Sequence, residues 1–263
     1  MKPALPLSVA IITLNEAERL PRCLASIEGL AAEIVVVDSG SQDRTADIAR
    51  NAGARVEVEP WSGYVEQKNK ALERCRQPWV LCLDADEALT PELAASIRQQ
   101  FAAGEPTVAG FAVNRRTWYL GAWIWHAWYP EWRLRLVRRD GARWTGLEVH
   151  EKLTVPGETG RLSGDLLHYS FRDLHDHLTR TLKYARIAAR SYARRGRRFR
   201  WFKLLLSPPA TFFKFLVLKQ GFRDGWRGGL IAGVKAMDTF AKQAFLLEAE
   251  RAPQPGQAAS AEK

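Results

Sequence analysis

Over the first hundred residues, apolar runs of strand length alternate with helix-patterned segments, and that rhythm limits what the chain can fold into. The runs are residues 7–13, 33–38, 56–58 and 79–83. Between them lie a segment from Asn15 and Glu16 to about Ile27, with Leu20, Leu24 and Ile27 on one face, then 45–52 and 64–74. Asn15 and Glu16 are placed to cap the first helix, Gly53 to stop the second, and Thr90 with Pro91 to open a further helix reaching about Phe101. Strand and helix in alternation predict an α/β fold built on a doubly wound, mainly parallel sheet.

Such sheets bind ligands beyond the carboxyl ends of their strands. Three polar motifs fall at those ends: Thr13-Leu14-Asn15-Glu16, Asp38-Ser39-Gly40-Ser41-Gln42-Asp43 and Asp84-Ala85-Asp86-Glu87. The last follows the apolar run Trp79–Leu83 without a turn residue between, so three carboxylates crowd at the end of a buried strand. Crowded carboxylates repel, and a cation among them relieves the repulsion. Hard oxygen ligands of this kind suit Mg²⁺ or Mn²⁺ bridging carboxylates to a substrate's phosphates. A strand running into a solvated acidic turn is the plainer alternative for this motif alone. Three motifs on one rim favour a ligand site.

Beyond residue 107 the pattern changes. Short β-like runs (108–113, 134–138, 149–155) flank an aromatic stretch, and six tryptophans fall between Trp118 and Trp144. Core packing accounts for about half of them; the density points to others at a sugar-stacking wall or a membrane-facing lip. After Arg161 the chain reads as helical and basic. Residues 1–160 hold 19 Lys and Arg against 21 Asp and Glu, whereas 161–263 hold 20 against 8. The second part therefore meets something anionic, nucleic acid or acidic lipid. Residues 201–218 are apolar but contain Lys203, Lys214 and Pro208-Pro209, which argues for lying in a bilayer interface over spanning it. Three divisions are expected: a catalytic domain over 1–160, a basic helical segment over 161–251 and a disordered tail over 252–263. The three cysteines, Cys23, Cys75 and Cys82, form no CxxC and read as reduced core residues of a cytosolic protein, and the N-terminal stretch lacks a signal peptide's layout.

The phrases VAIITLNEAERLPRCLASI, EIVVVDSGSQDRTADIA, QKNKAL and WVLCLDADE, in this order and spacing, resemble the nucleotide-sugar glycosyltransferases of family 2, which have the GT-A fold. RLRLVRR, GLEVHE and KQGFRDGWRGGLIAG are similar to the branch holding lipopolysaccharide core β-1,4-glucosyltransferases. The resemblance implies that Thr13, Asn15, Glu16 and Asp38, with Ser39 and Asp43 nearby, hold the nucleotide base and ribose. It places Lys68 and Asn69 on a helix facing the nucleotide, where Lys68 helps neutralise phosphate; a solvated surface lysine is the alternative. It makes Asp84 and Asp86 the DxD motif, Asp86 as metal ligand and Asp84 on the ribose or sugar, close enough to share the metal. An acceptor hydroxyl also needs a base. Glu151 is the first choice and Glu148 the second, with His150 assisting the metal or the base or serving structure alone. A carboxylate beside an apolar wall is suited to that task. Arg135 and Arg138 are candidate clamps for a diphosphate or an acceptor phosphate.

The expected activity is that of an inverting, metal-dependent glycosyltransferase. It moves a hexose, glucose from UDP-glucose by resemblance, to a lipid-linked or lipopolysaccharide-core acceptor at the inner face of the cytoplasmic membrane. A sugar-phosphate nucleotidyltransferase would want a Gly-rich basic loop after the first strand, which TLNEAERL does not offer, and GxGxxG is missing for a dinucleotide enzyme. A nucleic-acid binder would explain the basic half, but not the long apolar runs beside it.

Overall fold

The structure, a computed structural model, describes residues 3–147 and 150–251. Glu148 and the tail expected to be disordered lie outside the described residues. In chain order the elements are β1 (Leu5–Thr13), α1 (Leu20–Ser26), β2 (Ala31–Asp38), α2 (Thr45–Asn51), β3 (Arg55–Val58), α3 (Tyr64–Glu73), β4 (Trp79–Asp84), β5 (Glu87–Leu89) and α4 (Pro91–Gln100). There follow β6 (Gly110–Tyr119), β7 (Ala122–Trp123), β8 (Trp132–Arg138), β9 (Arg143–Leu147), β10 (His150–Thr154), β11 (Thr159–His168), α5 (Leu174–Arg194), α6 (Trp201–Phe213) and α7 (Trp226–Arg251). Two compact units result. One comprises the residues up to Trp118 with Tyr129–Ser170; the other comprises Tyr119–Trp128 and the residues from Phe171 on.

The first unit is a GT-A-like mixed sheet in the order β3-β2-β1-β4-β8-β6-β11-β5. β3, β2, β1 and β4 are parallel neighbours, and β8 enters antiparallel between β4 and β6. Side chains alternate across a strand, so Leu7, Val9 and Ile11 of β1 enter one core with α1 and α4. Ala10 and Ile12 enter another with Val35, Val37, α3 and Trp144. Apolar layers on both faces are what a parallel sheet requires. Register then aligns the functional ends: Thr13 pairs with Asp38 and Ile12 with Asp84.

Most sequence-based elements appear within a residue or two. Gly53 takes φ +79° after α2, and the Thr90 hydroxyl caps α4 by accepting from the Leu93 N–H at 3.2 Å. Three local readings change. Asn15 and Glu16 do not cap a helix: Asn15 sits at φ +55°, and α1 begins only at Leu20 with Pro21 in its first turn. The acidic turn contains a strand, β5, and the stretch after Arg161 is still sheet. β11 runs to His168, paired with β6 and, antiparallel, with β5. The helices begin at Leu174, where the Asp173 carboxylate accepts from the Asp176 N–H at 2.7 Å.

In the second unit α7 packs along both α5 and α6. A small core gathers Tyr119, Ile124, Ala127 and Ile231. The Asp224 carboxylate accepts from the N–H groups of Trp125, His126 and Ala127 at 2.8–3.1 Å and anchors the aromatic loop. Of the six clustered tryptophans only Trp144 is fully buried, while Trp125 and Trp132 are exposed. Cys23, Cys75 and Cys82 are buried and unpaired; burial pushes the Cys75 and Cys82 thiols up to about 12.

Candidate active site

At the ends of β1 and β2 the expected nucleotide residues form one hydrogen-bonded rim. The Thr13 hydroxyl donates to Asp38 Oδ2 at 2.7 Å, and Asp38 Oδ1 accepts from the Gly40 and Ser41 N–H groups at 3.0 and 2.7 Å. Ser41 Oγ adds a fourth bond at 2.6 Å. An ionised carboxylate has about four acceptor positions, so buried Asp38 is saturated and acts as the post that shapes the turn. The Asn15 N–H donates to Ser41 Oγ, and Asn15 Oδ1 accepts from the Gln42 N–H, both at 2.8 Å. The Glu16 N–H donates to Thr45 Oγ1 at 2.8 Å, while the Asp43 carboxylate, held low chiefly by the Thr45 hydroxyl, also accepts from the Ala17 N–H. Ser39 donates its N–H to the Thr13 carbonyl and accepts from Gln67 Nε2 at 3.1 Å.

Crowding in the acidic turn is relieved by the protein's own cations, carboxylate by carboxylate. Asp84 is gripped by Lys68 Nζ at 2.8 Å and an Arg135 guanidinium nitrogen at 2.9 Å. Burial alone would raise its pKa, but Lys68 and then Arg135 outweigh burial and hold the carboxyl well below the usual range. Glu87 is buried and takes Arg135 at 2.6 Å and Arg115 at 3.4 Å, while its second oxygen accepts from the Asp84 N–H at 3.0 Å. Asp86 stands apart from these cations and faces His168 Nε2 at 3.5 Å. Burial again opposes ionisation, and His168 overcomes it, so the Asp86 carboxyl is lowered. The antiparallel pairing of His168 with Glu87, together with the Tyr169 N–H bond to the Asp86 carbonyl at 2.9 Å, sets that geometry.

Lys68 joins this turn to the candidate base. Its ammonium lies 3.0 Å from Glu151 Oε1 and 4.5 Å from the centre of the Trp144 ring. Glu151 and the Trp144 ring therefore share Lys68 as a neighbour. Lys68, Asp84, Arg135, Trp132, Trp144 and Glu151 all line one cavity of about 430 Å³. A larger hollow of about 690 Å³, bordered by α1, α2 and the start of β2, lies away from these charges.

Two expected residues face elsewhere. Asn69 spends its side-chain amide on the Trp144 backbone, donating at 3.0 Å and accepting at 2.8 Å, and so fastens β9 to α3. Arg138 sits across from Trp79 at the opposite end of β4, bonded to the Pro106 carbonyl and Glu105. Residues three apart on a strand point to opposite faces, so Arg135 and Arg138 cannot share a clamp. His150 is placed as the first residue of β10. Sequence reasoning missed His168, Arg115 and Glu131, of which Glu131 pairs with Arg115 at 2.8 Å. No periodicity in the sequence from 159 to 168, TGRLSGDLLH, marks His168.

The glycosyl transferase family 2 model matches residues 8–154. A lipopolysaccharide core biosynthesis glycosyltransferase of Rhizobium meliloti, LpsC, is 39% identical over 263 residues, 95% of this chain and 93% of that protein. An uncharacterized glycosyltransferase of Rickettsia typhi is 29% identical over 253 residues, 92% of this chain and 87% of that one. Among solved structures, S. aureus TarS 1-349 in complex with UDP-GlcNAc aligns over 94% of this chain and 92% of its own, with 14% identity and a TM-score of 0.49.

Proposed function

Because the chain belongs to glycosyl transferase family 2, we propose that it moves a hexose from a nucleotide diphosphate sugar to a lipopolysaccharide-core or other lipid-linked glycan, inverting the anomeric centre. Glucose from UDP-glucose is the donor that the branch resemblance supports, and the name of the 39% identical LpsC supports a core glycan as acceptor. The observation that carries the reading is the Lys68 bridge, which ties the first aspartate of the DxD motif to Glu151 on the wall of one cavity.

The nucleotide lies over the rim of Thr13, Asn15, Glu16, Asp38, Ser39 and Asp43. Lys68 and Arg135 meet the diphosphate side of the donor while holding Asp84 in place. Glu151 accepts the proton of the acceptor hydroxyl, and exposed Trp132 offers an aromatic face beside it for a sugar ring. Among the described residues no three His, Cys, Asp or Glu side chains converge as a closed metal site. The open pair of Asp86 and His168 nevertheless fits a divalent ion, since such ions keep waters and substrate phosphates as their remaining ligands. Asp84, spent on two protein cations, fits less well than Asp86. A mixed oxygen and imidazole pair suits Mn²⁺ better than Mg²⁺. Bound there, the ion would neutralise charge on the leaving diphosphate.

A nucleotide-sugar panel in calorimetry, with Mn²⁺ present and absent, tests the reading. UDP-glucose is expected to bind in Mn²⁺ and to lose most of its affinity without it. Asp86→Ala and His168→Ala should remove the metal-dependent part, whereas Glu151→Gln should abolish transfer and leave donor binding near normal. A folded protein giving no heat with any sugar nucleotide or with UDP in Mn²⁺ would refute the donor class. Transfer retained in Glu151→Gln would refute the base.

A further inference from the structure

From His177 to Arg223 the chain carries thirteen Lys and Arg and not one Asp or Glu. Inside that stretch α6 and the π-helical turn that extends it, Lys214–Leu218, have no fully buried residue. The side of α6 turned to α7 is apolar, with Leu204, Pro208 and Phe212 half-buried, and Thr239 Oγ1 reaches Thr211 Oγ1 at 3.3 Å. Its outer side is equally apolar: Trp201, Phe202, Leu205, Leu206, Phe213 and Leu218 are all exposed, Leu205 and Leu206 by about two thirds (67% and 65%). A helix apolar all round belongs in an apolar medium, and a contiguous exposed apolar patch marks an interaction surface. Directly before it run Arg194, Arg195, Arg197, Arg198 and Arg200, with Lys203 in the first turn, the arginines exposed apart from their ring contacts. Cations bordering an apolar face match one partner chemistry, an anionic lipid surface.

We propose that the outer face of α6 and its π-helical extension lies in the interface of an anionic bilayer, parallel to the surface, with the arginines of 194–200 on the lipid headgroups. Trp201–Leu218 is long and apolar enough to cross a membrane, but its surroundings oppose crossing. Pro208 and Pro209 sit in its middle. α7 packs along it, carrying Lys235 and the Asp238–Lys242 ion pair of 2.7 Å, and would have to bury those charges in hydrocarbon. In the interface both needs are met, because apolar side chains enter the acyl boundary while the charges stay wet. This deepens the reading of a lipid-held acceptor, but its test uses neither sugar nor acceptor.

Full-length protein is floated with vesicles of phosphatidylcholine alone and with vesicles containing about one quarter phosphatidylglycerol. It should float with the second and remain below with the first. Leu205→Glu/Leu206→Glu should abolish flotation, and Arg197→Ser/Arg198→Ser/Arg200→Ser should weaken it about fivefold per cation removed. Unchanged melting temperatures show that both variants fold. Alkaline carbonate should release the bound protein. Failure of the wild type to float, flotation of the Leu205/Leu206 variant like wild type, or binding to an oligonucleotide in place of vesicles would each overturn the proposal. Retention in carbonate would overturn the in-plane geometry. Donor binding in calorimetry without flotation would sink this inference and leave the enzyme reading standing.

Discussion

Lys68 shows how much one buried residue can organise. A lysine in that position loses hydration, and burial alone would push its proton off; Asp84 and Glu151 reverse the balance and raise its pKa. Removing one member of a buried ion pair leaves the other uncompensated. Lys68→Met is therefore expected to cost about 3 kcal/mol in urea denaturation, since Arg135 still holds Asp84 but Glu151 loses its ion-pair partner. Glu151→Gln keeps the Lys68–Asp84 contact and should cost clearly less. Equal losses in the two variants would contradict the bridge. Lys68, Asp84 and Glu151 were legible because each sits in a local motif at a strand end or on a helix. Their mutual contact was not, because it needs β9 and β10 folded over α3. That Arg138 faces away from Arg135 was also legible, since residues three apart on a strand point to opposite faces.

Among the elements, β5 and β11 mattered most and were hardest to foresee. β5 is three residues long and begins inside the acidic turn, so no periodicity announces it. β11 is interrupted by a register shift between Arg161 and Asp165, which blurs its alternation. At that irregularity Gly164 has φ +86°, and a Cβ there would lie 2.3 Å from the Leu93 backbone nitrogen in the first turn of α4. Gly53 has a similar φ of +79° with open space around it. Both positions charge an L-residue about 1–2 kcal/mol for the left-handed conformation, but only Gly164 adds a backbone collision. Gly164→Ala should thus destabilise the protein by at least a further 1–3 kcal/mol relative to Gly53→Ala, and it should loosen the His168 end of β11. Matched thermal melts of the two variants decide the point. Thr90→Ala, which removes the α4 cap and the bond accepted from the Asp165 N–H, should cost about 1 kcal/mol by the same measurement.

At the scale of the whole molecule, the two units carry their titratable burdens differently, and pH can separate them. In the second unit His177 is buried against Phe171, its Nδ1 2.8 Å from the Tyr119 hydroxyl. Burial, then the nearby Lys235 charge, pushes its pKa down to about 4, against the weaker opposite pull of Asp176 and Asp238. The native state therefore binds fewer protons there than the unfolded chain, whose histidine titrates near about 6.5. Stability from this group is present above about 6.5 and is lost as pH falls toward 4. The full difference is on the order of 3 kcal/mol, with about 2 kcal/mol gone by pH 5. In the first unit Glu131 behaves with the same sign in a lower window. Burial would raise it, but Arg115 and Arg133 bring it to about 2, so its contribution fades only between about 4.3 and 2. At pH 5 the Glu131 share is intact while most of the His177 share is spent. Hydrogen exchange corrected for intrinsic rates should accordingly show, between pH 7 and pH 5, protection falling by about twentyfold in α5 and α7, with β1 and β4 unchanged. His177→Gln should flatten that response. Equal loss in both units, or a response that survives the substitution, would mean that His177 is not the group that carries it.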